Sequence, residues 1–139
     1  MIVRVQQEDG TVDFLGQFYE TFLRYGQDTK KLGIVFTPRH ITRFCAELVG
    51  VELGHTVYDP ACGTGGFLVA AFDRMMKQAT TPAARKKAKE SLYGFDTNAT
   101  VWALAVLNMF FRGDGKNHII NEDCFGHRVK ANEEYDCAL

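Results

Sequence analysis

Residues 58–68 read YDPACGTGGFL, and this stretch decides the fold. A short β-prone run, HTVYD (55–59), leads into it, and an apolar helical pattern over about 65–79 follows it. Glycines between a strand and a helix let the main chain turn tightly and let a ligand approach closely. The helix N-terminus beyond them offers free N–H groups and a partial positive charge. The stretch therefore predicts a ligand site at the carboxyl end of a first strand.

The segments after this turn alternate between strand and helix patterns. Such alternation is typical of an α/β fold built on an open parallel sheet, which binds ligands beyond the carboxyl ends of its strands. Acidic residues stand at those ends: Asp59, Asp96 and Asp123. The predicted strands are 55–59, 92–96, 116–121 and the start of a fourth over 134–139, and the predicted helices are 65–79 and 97–112.

The first 54 residues are predicted to form a helical lead-in to this sheet. The segment FLGQFYETFLRY (14–25) has the apolar spacing of an amphipathic helix. A second helix is expected over about 38–50, with Thr37 as its cap and Pro38 at its first position. Its apolar stripe is expected to be buried, and comprises Ile41, Phe44, Cys45, Leu48 and Val49. We divide the chain into this lead-in (1–54) and a sheet-containing part (55–139).

Composition limits the classes of function. The chain has 139 residues, enough for one domain, and carries 16 basic and 17 acidic side chains. A protein that binds nucleic acid unaided usually has a basic excess, so any contact with DNA is expected to be local or to come through a partner. The four cysteines and four histidines match no metal-ligand spacing. The chain shows neither a secretory leader nor a long apolar run, which predicts a cytoplasmic protein without a membrane span.

The glycine-rich turn does not fit a phosphate site. The spacing is Gly63-x-Gly65-Gly66, and Leu68 stands where a dinucleotide-binding fingerprint needs its third glycine. An ionised Asp59 would also repel a diphosphate by a few kcal/mol at an effective dielectric near 20. Both observations disfavour a nucleotide-dependent oxidoreductase.

A ligand with charges of both signs fits the turn better. S-adenosylmethionine carries an ammonium, a carboxylate and a sulfonium but no phosphate. Its positive end could face Asp59, its ribose hydroxyls could donate to Asp96, and its adenine could meet Asp123 and Phe125. The sequence therefore predicts S-adenosylmethionine as the cofactor.

Several motifs carry a resemblance to a known family. DPACGTGGFL (59–68) resembles motif I of the amino-methyltransferases that act on adenine in DNA, in the form typical of modification (M) subunits of type I restriction enzymes. GIVFTPRHI (33–41) is similar to the segment that lies upstream of motif I in those subunits. The resemblance implies a Rossmann-like S-adenosylmethionine-dependent methyltransferase fold, with its N-terminal half in 55–139. Three shorter segments match in the family's order: YGFDTN (93–98), ALAVLNMFFRG (103–113) and NEDCF (121–125).

The resemblance implies a set of cofactor-binding residues but no catalytic or metal-binding ones. The family's catalytic segment, Asn-Pro-Pro-Phe/Tyr, is not found in the 139 residues, so the chain alone is expected to be inactive. The implied partners are DNA through an intact complex, a specificity subunit and a restriction subunit, and a fragment of this kind could self-associate. The implied cofactor-binding residues are Phe36, Thr37, Pro38, Asp59, Ala61, Cys62, Gly63, Thr64, Gly65, Phe67, Asp96, Thr97, Asn98, Asp123, Cys124 and Phe125.

The residues leave alternatives open. The chain could belong to a methyltransferase that acts on protein or RNA, or it could be a non-enzymatic cofactor-binding remnant. Asp96 could serve only as the N-cap of the following helix, and Asp123 could be a loop acid without a ligand. The 58–68 stretch could also be a plain strand–helix turn.

Overall fold

The computed structural model of the chain describes residues 37–113, 118–126 and 134–139. The predicted helix over 14–25 and the predicted site residue Phe36 lie outside these residues. Within them, the helices are α1 (Arg39–Leu48), α2 (Gly66–Gln78), α3 (Pro82–Lys89) and α4 (Ala99–Phe111), and the strands are β1 (Val57–Asp59), β2 (Leu92–Phe95), β3 (His118–Ile120) and β4 (Cys137–Ala138).

The described strands form one parallel sheet in the order β3-β2-β1-β4. The predicted α/β architecture with a parallel sheet is therefore confirmed. Asp136 fixes β4 beside β1, because its Oδ2 accepts hydrogen bonds from the N–H of Thr56 at 2.7 Å and from its hydroxyl at 2.9 Å. The chain runs from β1 outward to β3 and then returns to the other side of β1. A point where strand order reverses in this way opens a crevice at the carboxyl ends of the strands.

The core lies between the sheet and α2. A Cβ added to Gly94 in β2 would lie 2.8 Å from Leu68 Cδ1 in α2, so the helix rests directly on this strand. On the other side of α2, α1 packs against it through small side chains, including Thr42 and Ala46. The largest fully buried side chains of the described residues are Leu68, Met75, Leu92, Met109, Val51 and Val57.

The prediction for the face of α1 is wrong. The stripe expected to be buried is largely exposed, because the close packing of α1 on α2 uses the adjoining face, which carries the small side chains Thr42 and Ala46. The exposed fractions reach 60% for Phe44 and 73% for Leu48, whereas Thr42 is only 3% exposed. A spacing of 3.6 residues identifies an apolar face, but it does not say which neighbour that face meets. The exposed members of the stripe are Ile41, Phe44, Leu48 and Val49, and Cys45 is half-buried.

The start of α1 also differs from its prediction. Pro38 is the N-cap residue itself, its carbonyl accepts from the N–H groups of Ile41 and Thr42, and no side chain caps the helix. Thr37 therefore does not cap α1. The similar Thr81-Pro82 pair does form a cap with proline in the first turn, since the Thr81 hydroxyl accepts from the N–H of Ala84 at 3.2 Å.

The sheet face opposite α2 carries aromatic side chains. Tyr58, Tyr93 and His118 occupy paired positions on β1, β2 and β3, and the rings of Tyr93 and His118 stack at 4.6 Å. Tyr135 stacks on Tyr58, also at 4.6 Å. These ring contacts hold the segment before β4 against the sheet.

Among the described residues, the structure contains no helix that is long and apolar enough to cross a membrane.

Candidate cofactor-binding site

Acidic side chains gather at one edge of the sheet. Asp59 ends β1, Asp96 follows β2 directly, and Asp123 lies three residues beyond β3. The strands are parallel, so these positions share the carboxyl edge, as predicted. The segment after β3 is tied to the end of β2 because Asn121 Nδ2 donates to the carbonyl oxygen of Asp96 at 2.8 Å.

The glycine-rich turn adopts a backbone that favours glycine at two positions. Gly63 has φ +56° and Gly65 has φ +81°, both in the left-handed region. Gly65 is the N-cap residue of α2, and no side chain caps this helix. The first N–H groups of α2 are therefore left for a ligand or solvent.

Asp96 holds this turn in place. Its Oδ2 accepts a hydrogen bond from the N–H of Gly63 at 3.1 Å, and its Oδ1 accepts from the N–H of Asn98 at 2.8 Å. The N-cap of α4 is Asn98, whose Oδ1 accepts from Thr100 and Val101, so the alternative that Asp96 is the N-cap is wrong. Each carboxylate oxygen has further acceptor capacity, which leaves Asp96 able to meet a hydroxyl donor.

Asp59 is the most unusual side chain of the site. It is only 3% exposed, its Oδ1 accepts from the N–H of Ala61 at 3.2 Å, and its Oδ2 is buried with no hydrogen-bond partner in the structure. Burial raises the pKa of this carboxyl to about 6; the Ala61 N–H opposes the rise and the nearby Asp96 adds to it. A buried polar atom without a partner is costly unless a ligand satisfies it. A cationic donor such as an ammonium fits this oxygen, and the contact of Asp59 with the positive end of S-adenosylmethionine stays a prediction.

Cys62 packs beneath the turn. Its side chain is 4% exposed, its N–H donates to the carbonyl of Phe95 at 2.8 Å, and its own carbonyl accepts from the N–H of Gly65. Burial, followed by the charges of Asp59 and Asp96, raises the pKa of the thiol to about 12. These contacts indicate a packing role, and a direct contact of Cys62 with a cofactor stays a prediction.

A cavity opens between α1 and the start of α2. Residues from both the turn and α1 line it, including the predicted site residues Thr37, Ala61, Cys62, Gly63, Thr64 and Phe67. Asp59, Asp96 and Asp123 do not line this cavity, so it adjoins the acidic edge without enclosing it. Sequence reasoning missed Arg39 and Arg43, which also line it, one helical turn apart on α1. The sequence signal for these two residues was their spacing of one helical turn after Thr37-Pro38. Their side chains bring positive charge beside the glycine turn.

The segment after β3 exposes Asp123 and Phe125 and half-buries Cys124. Asp123 Oδ1 accepts from the N–H of Phe125 at 2.9 Å, and the Phe125 ring is 96% exposed. Cys124 lies near Tyr58: burial first, and then Cys124, raises the pKa of that tyrosine. Thr97 and Asn98 are exposed at the start of α4. The cofactor roles of these residues stay predictions.

In the described ranges, no three His, Cys, Asp or Glu side chains come together as a metal-binding group.

Comparison with protein families identifies the chain's relatives. The family model for N-6 DNA methylase matches residues 10–138. The chain belongs to the N-6 DNA methylase family. The match confirms the family predicted from DPACGTGGFL and the FTP segment, and it extends over almost the whole sequence.

The curated relatives are much longer than this chain. The type II restriction enzyme and methyltransferase RM.BcgI of Heyndrickxia coagulans is 46% identical over 114 residues, which are 81% of this chain and 18% of that protein. The type I restriction enzyme EcoEI methylase subunit of Escherichia coli is 36% identical over 99 residues, 70% of this chain and 20% of that protein. The chain thus spans about a fifth of the length of these relatives.

Solved structures agree with the sequence comparison. A modification subunit assigned to a type I restriction enzyme from Vibrio vulnificus YJ016 superposes with a TM-score of 0.70 at 36% identity, covering 79% of this chain and 23% of that one. A protein of Listeria monocytogenes assigned to the class I S-adenosylmethionine-dependent methyltransferases has a TM-score of 0.61 at 16% identity, covers 90% of this chain and 38% of that one, and supports the fold alone. The predicted Rossmann-like methyltransferase fold is confirmed.

Proposed function

We propose that this chain is the S-adenosylmethionine-binding portion of a DNA adenine-N6 methyltransferase of a restriction-modification system. The observation that carries the proposal is the buried, unpartnered Oδ2 of Asp59 beside a glycine turn at the point where strand order reverses. Membership of the N-6 DNA methylase family supports the same reaction class. The cofactor would supply an activated methyl group on its sulfonium.

Each charged part of the cofactor has a counterpart in the site. Asp59 would accept hydrogen bonds from the ammonium. The open N–H groups at the start of α2, with Arg39 and Arg43 nearby, would favour the carboxylate. Asp96 would accept from the ribose, and Asp123 and Phe125 would meet the adenine.

The remaining parts of the reaction belong to the whole protein. In the family, an Asn-Pro-Pro-aromatic segment receives the target adenine, and the 139 residues contain no such segment. We therefore propose that the chain by itself binds cofactor without transferring methyl groups. DNA, a specificity subunit and a restriction subunit would be partners of the intact enzyme in the cytoplasm, and their involvement fits the near-neutral charge of −1.

Calorimetry tests the cofactor. We expect the purified chain to bind S-adenosylhomocysteine and S-adenosylmethionine. Both carry an ammonium group, which can donate a hydrogen bond to the unpartnered Oδ2 of Asp59. NADH serves as the control ligand, since its diphosphate would lie against the same carboxylate. Equal binding of NADH, or no binding of either sulfur compound, would contradict the proposal.

A methyl-transfer assay tests whether the chain alone is inactive. With tritiated S-adenosylmethionine, we expect no label on DNA, RNA or protein from this chain alone. Label on adenine would contradict the proposal that the chain alone transfers no methyl groups. Label on protein or RNA instead would support the alternative methyltransferase classes. A chain that bound cofactor and stayed inactive even when fused to the Asn-Pro-Pro-aromatic part of a family member would be the non-enzymatic remnant.

A further inference from the structure

A buried polar network links α4 to the glycine turn. Asn108 is 3% exposed, and its Nδ2 donates a hydrogen bond to the carbonyl oxygen of Thr64 at 3.1 Å. Arg112, 4% exposed, donates through Nη1 to both Oδ1 and the main-chain oxygen of Asn108. The Arg112 Nε also lies 3.7 Å from Asp73 Oδ1 on α2. The network therefore joins two helices and one peptide group of the turn.

Arg112 determines which way the Asn108 amide points. A guanidinium can only donate, so the amide oxygen must face Arg112 and the amide nitrogen must face Thr64. If residue 108 served packing alone, an aliphatic side chain would fill this buried position on α4 equally well. The polar side chain at this position is explained by the Thr64 carbonyl, which accepts the hydrogen bond from Asn108 Nδ2.

The turn is held at neighbouring peptide groups from two directions. Asp96 accepts from the N–H of Gly63, and Asn108 donates to the carbonyl of Thr64. Directly below, Gly65 lies against Ala105, since a Cβ added to this glycine would lie 3.5 Å from Ala105 Cβ. The conformation that exposes the first N–H groups of α2 thus depends on α4 as well as on Asp96.

We propose that Asn108, oriented by Arg112, is a positioning residue that sets the conformation of the glycine turn and thereby the affinity for the cofactor. This inference rests on the proposed cofactor function. It adds a residue on α4, 44 positions along the chain from Thr64, that acts through the main chain of the turn.

The variant Asn108→Asp separates positioning from stability. Aspartate keeps the acceptor for Arg112 and adds an ion pair that offsets the lost hydrogen bond to Thr64, so we expect at most a small change in melting temperature. It replaces the donor to Thr64 with a repelling oxygen, so we expect the Kd for S-adenosylhomocysteine to rise about tenfold. Amide hydrogen exchange of Gly63 and Gly65, whose N–H groups are hydrogen-bonded within the turn, should also accelerate about tenfold, while exchange in α3 stays unchanged.

Gln78→Glu is the matched control. It makes the same amide-to-acid change, keeps the acceptor that Leu53 N–H uses, and lies at the far end of α2. We expect its affinity and its exchange rates to match those of the wild type. If Asn108→Asp lowers the melting temperature, Asn108→Ala provides the second variant, because Arg112 retains the main-chain oxygen of residue 108 and Asp73.

Two failures are distinguishable. A wild-type chain that does not bind S-adenosylhomocysteine would refute the cofactor proposal, and the exchange rates would still decide whether Asn108 holds the turn. If the wild-type chain binds, and the Asn108 variants keep both its affinity and its slow exchange at Gly63 and Gly65, the positioning role is overturned.

Discussion

The Asp59→Asn variant is expected to make the ligand-free protein more stable and to remove most of its affinity for the cofactor. The wild-type carboxylate is 3% exposed and has one oxygen without a partner. Asparagine keeps the oxygen that accepts from Ala61 N–H and removes the buried charge. Opposite effects on stability and binding are the signature of a side chain that is strained until its ligand arrives.

The pH dependence gives the size of the stability effect. Burial raises the pKa of Asp59 from 3.8 to about 6, so the folded state holds this proton more strongly than the unfolded state does. The resulting stabilisation is complete below pH 3.8 and is lost as the pH rises to about 6. At pH 8 the ionised carboxylate therefore costs about 3 kcal/mol, at 1.36 kcal/mol for each pKa unit.

Urea unfolding at pH 5 and pH 8 measures this effect. We expect Asp59→Asn to gain stability over the wild type at pH 8 and to lose much of that advantage at pH 5. A variant less stable than the wild type at pH 8 would contradict the assignment of a strained, ionised Asp59.

Two ligands test the expected loss of cofactor affinity in the Asp59→Asn variant. We expect the Asp59→Asn variant to bind S-adenosylhomocysteine about 10- to 100-fold more weakly, which is the usual range for losing a hydrogen bond to a charged group. Methylthioadenosine lacks the amino-acid part and should bind both proteins equally. An equal loss for both ligands would show that Asp59 supports the site generally and does not face the ammonium.

The Gly94→Ala variant is expected to lose about 3 kcal/mol of stability, the upper part of the range for overpacking a core. The added Cβ would lie 2.8 Å from Leu68 Cδ1 and 3.1 Å from Cys62 Sγ. Leu68 is fully buried and Cys62 is 4% exposed, so neither side chain has free space to move into. Because Cys62 supports the glycine turn from below, cofactor affinity should fall as well.

Gly66→Ala is the matched control for this substitution. Gly66 begins α2, its φ is not in the left-handed region, and an added Cβ would meet only Thr42 Cγ2 at an ordinary 3.7 Å. Alanine in a helix is favoured over glycine by about 0.5–1 kcal/mol, so this variant should be as stable as the wild type or more stable. Equal urea midpoints for the two alanine variants would contradict the close packing of α2 on β2.

The sheet was predictable because its signals are local. Short β-prone runs and the glycine turn each depend on a few neighbouring residues, and their order defines a parallel sheet. The buried face of α1 was not predictable, because it depends on the small residues Thr42 and Ala46 meeting another helix. The prediction that Thr37 caps α1 was wrong because the helix begins at Arg39, one residue later than the proline suggests.

The site was predictable only in part. The positions of Asp59 and Asp96 followed from strand ends, but the bond from Gly63 N–H to Asp96 required the folded turn. Asn108 and Arg112 lie in an apolar stretch that reads as a packing helix, and their partners are far away in sequence. Long-range polar pairs of this kind leave no periodic pattern in a single sequence.

A crystal structure of the chain with S-adenosylhomocysteine would test the central proposal most directly, through the position of the ligand's ammonium. We expect its nitrogen within hydrogen-bonding distance of Asp59 Oδ2, with the ribose hydroxyls at Asp96. A ligand held elsewhere while Asp59 Oδ2 stays without a partner would contradict the account.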